Sequence, residues 1–162
     1  MAAETLSPGY RYPMPAETQI ANLLYRYAEC IDAGDLDEAA ALFAHARIRI
    51  DAAGHDTIDA AGLLRIWKSL IVLYPDGTPR TKHLVTNPII EIDGHAKTAQ
   101  CRSYYTVLQQ TEDFPLQAIV AGRYHDRFEC VEGTWRFAYR DLTLIDMVGD
   151  TSHHLSYGIA PA

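Results

Sequence analysis

Four long stretches in the second half of the chain alternate apolar and polar residues, and they constrain the fold more than any other feature. They run over about Thr81–Ile92, Ala96–Gln110, Leu116–Cys130 and Thr134–Asp146. Turn chemistry separates them: Asp93-Gly94, Asp113 to Pro115, and Glu132-Gly133. Asp-Gly is a strong hairpin signal, because turns that match strand twist need positive φ. The pattern predicts an antiparallel meander of four strands.

The first half is helical. Ile20, Leu23, Leu24, Tyr27, Ala28 and Ile31 recur at three- and four-residue steps after Pro15 and Glu17, and Gly34 is placed to end that helix. Asp35, with Glu38 three residues on, is a capping box for a short second helix. Arg47–Asp51 alternates and predicts a short strand with Ile48 and Ile50 on one face, followed by a turn at Gly54 to Asp56. A third helix is expected from about Asp59 to Tyr74, with Leu63, Ile66, Trp67, Leu70 and Ile71 inward. Helices first and a meander afterwards specify an α+β fold, with one sheet face against the helices and the other polar.

Parity puts Leu116, Ala118, Val120, Gly122, Tyr124 and Phe128 on one side of the third long strand, and His83 with Val85 and Ile89 on one side of the first. The last long strand is apolar on both alternations, so parity leaves its faces open. The polar sheet face carries Arg, His and Tyr, which suits a contact between copies in a homo-oligomer.

At 162 residues the chain has the length of one domain, and it divides into an arm (1–16), the domain (17–146) and a tail (147–162). The net charge is −7 with no basic run, which argues against nucleic acid and anionic membrane surfaces as partners. No apolar run approaches the ~18 residues of a membrane span. Three cysteines, Cys30, Cys101 and Cys130, lack metal or disulfide spacing and predict reduced thiols, hence a cytoplasmic setting.

Asp32 lies in the last turn of the first helix, where a carboxylate costs roughly 0.3–1 kcal/mol against the helix dipole. A histidine would offset that cost. His83 opens the first long strand and is a candidate base, since a carboxylate that fixes one ring nitrogen frees the other to take a proton. Arg140, on the last strand, would orient an electronegative group or else form a structural ion pair. Tyr27 and Tyr124 face inward, as pocket lining or plain core. The remaining histidines, including His153-His154 in the tail, have no metal-ligand spacing, and no metal or cofactor is expected.

The order I-D-A-G-D-L-D-E-A (31–39), A-R-I-R-I-D (46–51), T-K-H-L-V-T-N (81–87), G-R-Y-H-D-R-F-E (122–129) and E-G-T-W-R-F-A-Y-R (132–140) resembles the SnoaL-like branch of the nuclear transport factor 2-like superfamily. Within it the resemblance runs to scytalone dehydratase and hexachlorocyclohexane dehydrochlorinase. It covers about residues 17–146 and implies a cone, with three N-terminal helices packed in the concave face of a curved, mostly antiparallel sheet around a blind apolar pocket. It also implies that Asp32 and His83 meet as a catalytic dyad, and that Arg140, Tyr124, Tyr27, Ile48 and Ile50 line the pocket. Tyr27 stands where the dehydrochlorinase has a lysine. Ile31 and Ala52 stand where scytalone dehydratase has two tyrosines that hold a water, so scytalone itself is not the expected substrate.

The activity so implied is a cofactor-independent lyase, a dehydratase or dehydrohalogenase, acting on a small organic molecule in a dimer or trimer. An isomerase or cyclase with the same base is an alternative. So is a non-catalytic binding module resembling a dioxygenase small subunit.

Overall fold

The computed structural model describes residues 14–53 and 56–157. The chain order is helix α1 (Ala16–Ala33), helix α2 (Leu36–Ala41), strands β1 (Arg47–Arg49) and β2 (Thr57–Ile58), helix α3 (Ala60–Leu70), and strands β3 (Thr81–Asp93), β4 (Thr98–Gln109), β5 (Gln117–Val131), β6 (Thr134–Asp141) and β7 (Ile145–Val148). Most of the expected arm, residues 1–13, lies outside the described residues, as do Gly54 and His55 of the expected turn. No helix among the described residues is long and apolar enough to cross a membrane.

The sheet runs β2-β1-β6-β5-β4-β3, antiparallel except for the β1–β6 pair. The expected α+β cone is what forms: α1 packs Ile20, Leu24, Tyr27 and Ile31 into the concave face, where they meet Phe43, Trp67, Tyr105, Tyr124 and Phe137. The Asp35 cap forms as the sequence predicts, and Asp59 caps α3 in the same way. The Asp35 carboxylate accepts from the Glu38 N–H at 3.1 Å, and Asp59 accepts from the Gly62 N–H at 2.8 Å.

One-residue bulges in β3, β5 and β6, with a further slip where β7 pairs β5, overturn simple parity, because an extra residue re-aims every side chain beyond it. In β3 the register slips between Thr86 and Ile89, at Asn87 (φ 53°) and Pro88. Ile89 therefore leaves the side of His83 and is 54% exposed, while Ile90 and Ile92 turn inward. In β5 the register steps from Val120 to Ala118, so Ile119 is the extra residue and is fully buried, whereas Leu116 and Ala118 are exposed rather than core. In β6 the pairing steps from Phe137 to Tyr139, past Ala138. Phe137 and Arg140, three apart, consequently both point into the core.

The C-terminal third differs from expectation in two further ways. The last long strand breaks after Asp141, and its continuation returns as β7 along the other half of the same edge of β5. The boundary at 146/147 thus falls inside a strand, and the expected tail is anchored as far as the described residues run. Helix α3 stops at Leu70 instead of Tyr74, since Ile71 turns extended to bridge Leu155. That bridge draws residues 151–156 over the cone.

Candidate functional site

Asp32 and His83, 51 residues apart, are bonded neighbours. Asp32 Oδ1 lies 2.6 Å from His83 Nδ1 and accepts from the Thr81 hydroxyl at 2.8 Å. Its Oδ2 accepts from the His83 N–H at 2.8 Å. Both side chains are sealed, 9% and 7% exposed. Burial alone would raise the Asp32 carboxyl. The bonds from the His83 ring, its amide and Thr81 outweigh it and hold the group below the usual carboxylate range. An ionised Asp32 makes Nδ1 the protonated ring nitrogen, leaving Nε2 as the basic one.

Local structure sets this contact. Gly34 (φ 77°) ends α1, with the capping N–H groups bonded to the carbonyls of Cys30 and Ile31. A Cβ on Gly34 would lie 2.0 Å from the Gly77 carbonyl oxygen. The helix end can therefore press against the loop before β3, which brings Asp32 to Thr81 and His83. The three donors offset the dipole cost of a carboxylate in a last turn that has no basic residue.

Arg140 is placed otherwise than as a substrate grip. It is fully buried and bonded twice to Asp126, Nε to Oδ1 at 2.7 Å and Nη2 to Oδ2 at 2.9 Å. Four rings enclose its guanidinium: Tyr124 at 4.2 Å, Tyr27 at 4.4 Å, Phe137 at 4.8 Å and Phe43 at 5.1 Å. Burial is the largest single influence and opposes its charge, but the charge and hydrogen bonds of Asp126, with Tyr27 and Tyr124, together outweigh it and raise its pKa. Its Nη1 has no partner among the described residues. Of the two readings of Arg140, the geometry matches the structural ion pair, with the Tyr27 and Tyr124 rings packed on its guanidinium.

Tyr27 and Tyr124 meet edge to face at 5.8 Å, and Tyr27 meets the His83 ring at 6.3 Å. Burial raises the pKa of both phenols, so they are neutral hydroxyls. Tyr105 stacks on Tyr124 at 4.4 Å in space left by Gly122, where a Cβ would lie 2.8 Å from the Tyr105 hydroxyl. Ile48 is fully buried in the same core. Ile50 is a correction: β1 ends at Arg49 and Ile50 is 42% exposed, outside any pocket wall. The expected hollow is largely packed with these rings. A cleft of about 310 Å³ reaches Asp32 from outside, between Arg80, Lys82, Gln109 and Leu116.

Two residues of the site escaped sequence reasoning. Asp126 shares strand parity with Tyr124 and Phe128, and a carboxylate on an apolar face was the available signal. His154 is buried with its ring centroid 6.4 Å from that of His83. Burial, then the neighbouring His83, push its pKa down to about 4. The only hint was a His-His pair in a presumed tail. Burial, then Asp126, push the Cys101 thiol up to about 12, so it stays protonated. No three His, Cys, Asp or Glu side chains among the described residues group as metal ligands.

The same architecture recurs in solved structures. A variant of Rv3472 from Mycobacterium tuberculosis, a protein of unknown function, is 26% identical, with a TM-score of 0.63 over 83% of this chain and 74% of that one. A candidate scytalone dehydratase from Novosphingobium aromaticivorans is 20% identical, with a TM-score of 0.64 over 90% of each chain. The β subunit of a candidate aromatic-ring-hydroxylating dioxygenase from the same organism is 19% identical, with a TM-score of 0.63 over 86% and 95%. The latter two likenesses speak for the fold alone. A search of curated proteins finds no significant match. The family model for the SnoaL-like domain matches residues 13–141. That match spans most of the chain, and this chain belongs to the SnoaL-like domain family.

Proposed function

We propose that this chain is a cofactor-independent lyase that eliminates water or halide from a small cyclic or hydrophobic substrate, with His83 as base and Asp32 as its orienting partner. The observation that carries the reading is the buried 2.6 Å contact between Asp32 Oδ1 and His83 Nδ1. His83 Nε2 takes a proton from carbon, the C–H electron pair forms the new double bond, and the neighbouring C–O or C–X bond breaks. The imidazolium is stabilised by Asp32 and returns its proton to a departing hydroxide as water. A positioned base of this kind contributes about 10²–10⁴-fold to rate. The surrounding rings exclude water, which strengthens each electrostatic contact.

The test is a proton NMR screen in D₂O of small cyclic β-hydroxy ketones and halogenated rings, with wild type and His83→Ala side by side. Loss of product with His83→Ala, in a protein that still unfolds cooperatively, is the expected result. Undiminished turnover would refute the assignment.

The packed interior favours a second reading, a non-catalytic module like a dioxygenase small subunit. On that reading no member of the screen turns over with either protein.

A further inference from the structure

His154 is 7% exposed, and its Nδ1 has no hydrogen-bond partner among the described residues. A buried polar atom left unpaired is costly and calls for an explanation. Poor anchoring is not the explanation. The His154 carbonyl accepts from the Val72 N–H at 2.8 Å, and the His153 carbonyl accepts from the Tyr74 hydroxyl at 2.8 Å and from Gln109 Nε2 at 2.9 Å. Leu155 bridges Ile71, and the His153 ring stacks on Phe114 at 4.5 Å. The segment is fastened to α3, to β4 and to the loop before β3, with the His154 ring turned to His83 at 6.4 Å between centroids.

The two imidazoles are not equivalent. His83 is backed by a carboxylate at 2.6 Å. His154 has none to itself, since both Asp32 oxygens are taken by His83 and Thr81. Burial keeps its ring neutral, and a neutral ring offers an N–H that donates a hydrogen bond without giving up its proton.

We propose that His154 is a substrate-contacting residue, its neutral ring donating from Nδ1 to a substrate oxygen next to the carbon that His83 deprotonates. This rests on the lyase reading and narrows it to oxygenated rings, enolisable ketones or phenol-like compounds, over purely halogenated ones. When His83 Nε2 takes the proton, the C–H pair moves into an enolate whose oxygen carries the new charge, which the His154 N–H stabilises. Collapse of the enolate restores the carbonyl, breaks the β C–O bond, and releases hydroxide that leaves as water with the proton from His83.

Phenol and toluene, nearly equal in shape, are the probes. Wild type should bind phenol about tenfold more tightly, the equivalent of one net hydrogen bond. His154→Phe should bring the ratio to about one with toluene affinity unchanged, and His154→Gln, which keeps a donor, should retain part of the preference. In wild type the His154 ring ¹⁵N resonance should move with phenol and not with toluene, a readout that survives if a variant fails to fold. Equal affinity of wild type for the two probes, or a resonance indifferent to phenol, overturns the proposal. Deuterium exchange at the α-carbon of cyclohexanone tests the underlying reading separately. If exchange occurs equally in wild type and His83→Ala, the base assignment fails whatever the phenol ratio. If it needs His83 but the phenol preference ignores His154, only the role of His154 falls.

Discussion

Asp126 and Arg140 share two hydrogen bonds, of 2.7 and 2.9 Å, at the centre of the cone with neither side chain touching solvent. Removing one partner strands the other charge among four rings. Asp126→Asn is therefore expected to destabilise the protein by about 3–5 kcal/mol. The double replacement Asp126→Leu with Arg140→Met, which leaves no charge behind, should recover most of that loss. Urea midpoints of the single and double variants decide it. Equal destabilisation would show that shape, not charge pairing, is what the core needs.

Asp32→Asn should lower turnover by about 10²–10⁴-fold while the fold persists, because the amide cannot stabilise the imidazolium. The same variant should show a pH signature. The native state lowers the Asp32 pKa, so the ionised carboxylate adds stability above the ordinary value of 3.8, and that stability is lost as pH falls through the folded value. The gap in melting temperature between wild type and variant should thus be present near neutrality and close in strong acid.

His154 adds a slope at higher pH. Its pKa of about 4 lies below the ordinary 6.5, so the unfolded chain binds the extra proton first. Stability from the neutral ring is complete above about pH 6.5 and falls towards pH 4, by about 3 kcal/mol in all. The titratable groups facing it, His83 and Asp32, are unchanged in His154→Phe, which should flatten this part of the profile. Denaturant titrations at half-unit pH steps measure it.

Gly34→Ala meets two obstacles, a positive φ and a Cβ 2.0 Å from the Gly77 carbonyl oxygen. The strained backbone costs about 1–3 kcal/mol, and relief requires α1 to back away from the loop before β3. Activity should fall further than stability, because Asp32 moves with the helix end. A Gly34→Ala protein with wild-type turnover would mean that the dyad tolerates this displacement.

The convex sheet face exposes Leu84, Ile89 and Tyr104. We propose it as the contact between copies of this chain. Tyr104→Glu should then lower the mass measured by light scattering from an oligomer to a monomer of 18.1 kDa. An unchanged mass would place the contact elsewhere.

The helical periodicity from Ile20 to Ile31, the Asp35 cap and the Glu132-Gly133 turn are local, and local rules read them correctly; at Asp93-Gly94 a four-residue loop forms instead of a tight turn, with its positive φ at Lys97. Asp32 stood out because a carboxylate at a helix C-terminus needs a donor, His83 stood out as a histidine on an apolar strand side, and the family resemblance paired the two. Arg140 was legible only as an ion pair or a substrate grip, because its counter-charge, Asp126, sits on another strand and bulges set the facing. Ile50 and Ile89 were misplaced because parity assumes unbroken registers, and β1 ends early while β3 bulges at Asn87.

Sequence by itself determined the three helices, the four-strand meander that follows them and the inward face of α1, since those follow from contacts within a few residues. Tertiary structure decided which of β6 and β7 would flank which half of β5, where the bulges fall, and that a segment read as tail would bring His154 opposite His83. Those outcomes depend on packing between residues far apart in the chain, where one inserted residue reverses every side chain beyond it and no local pattern records the choice.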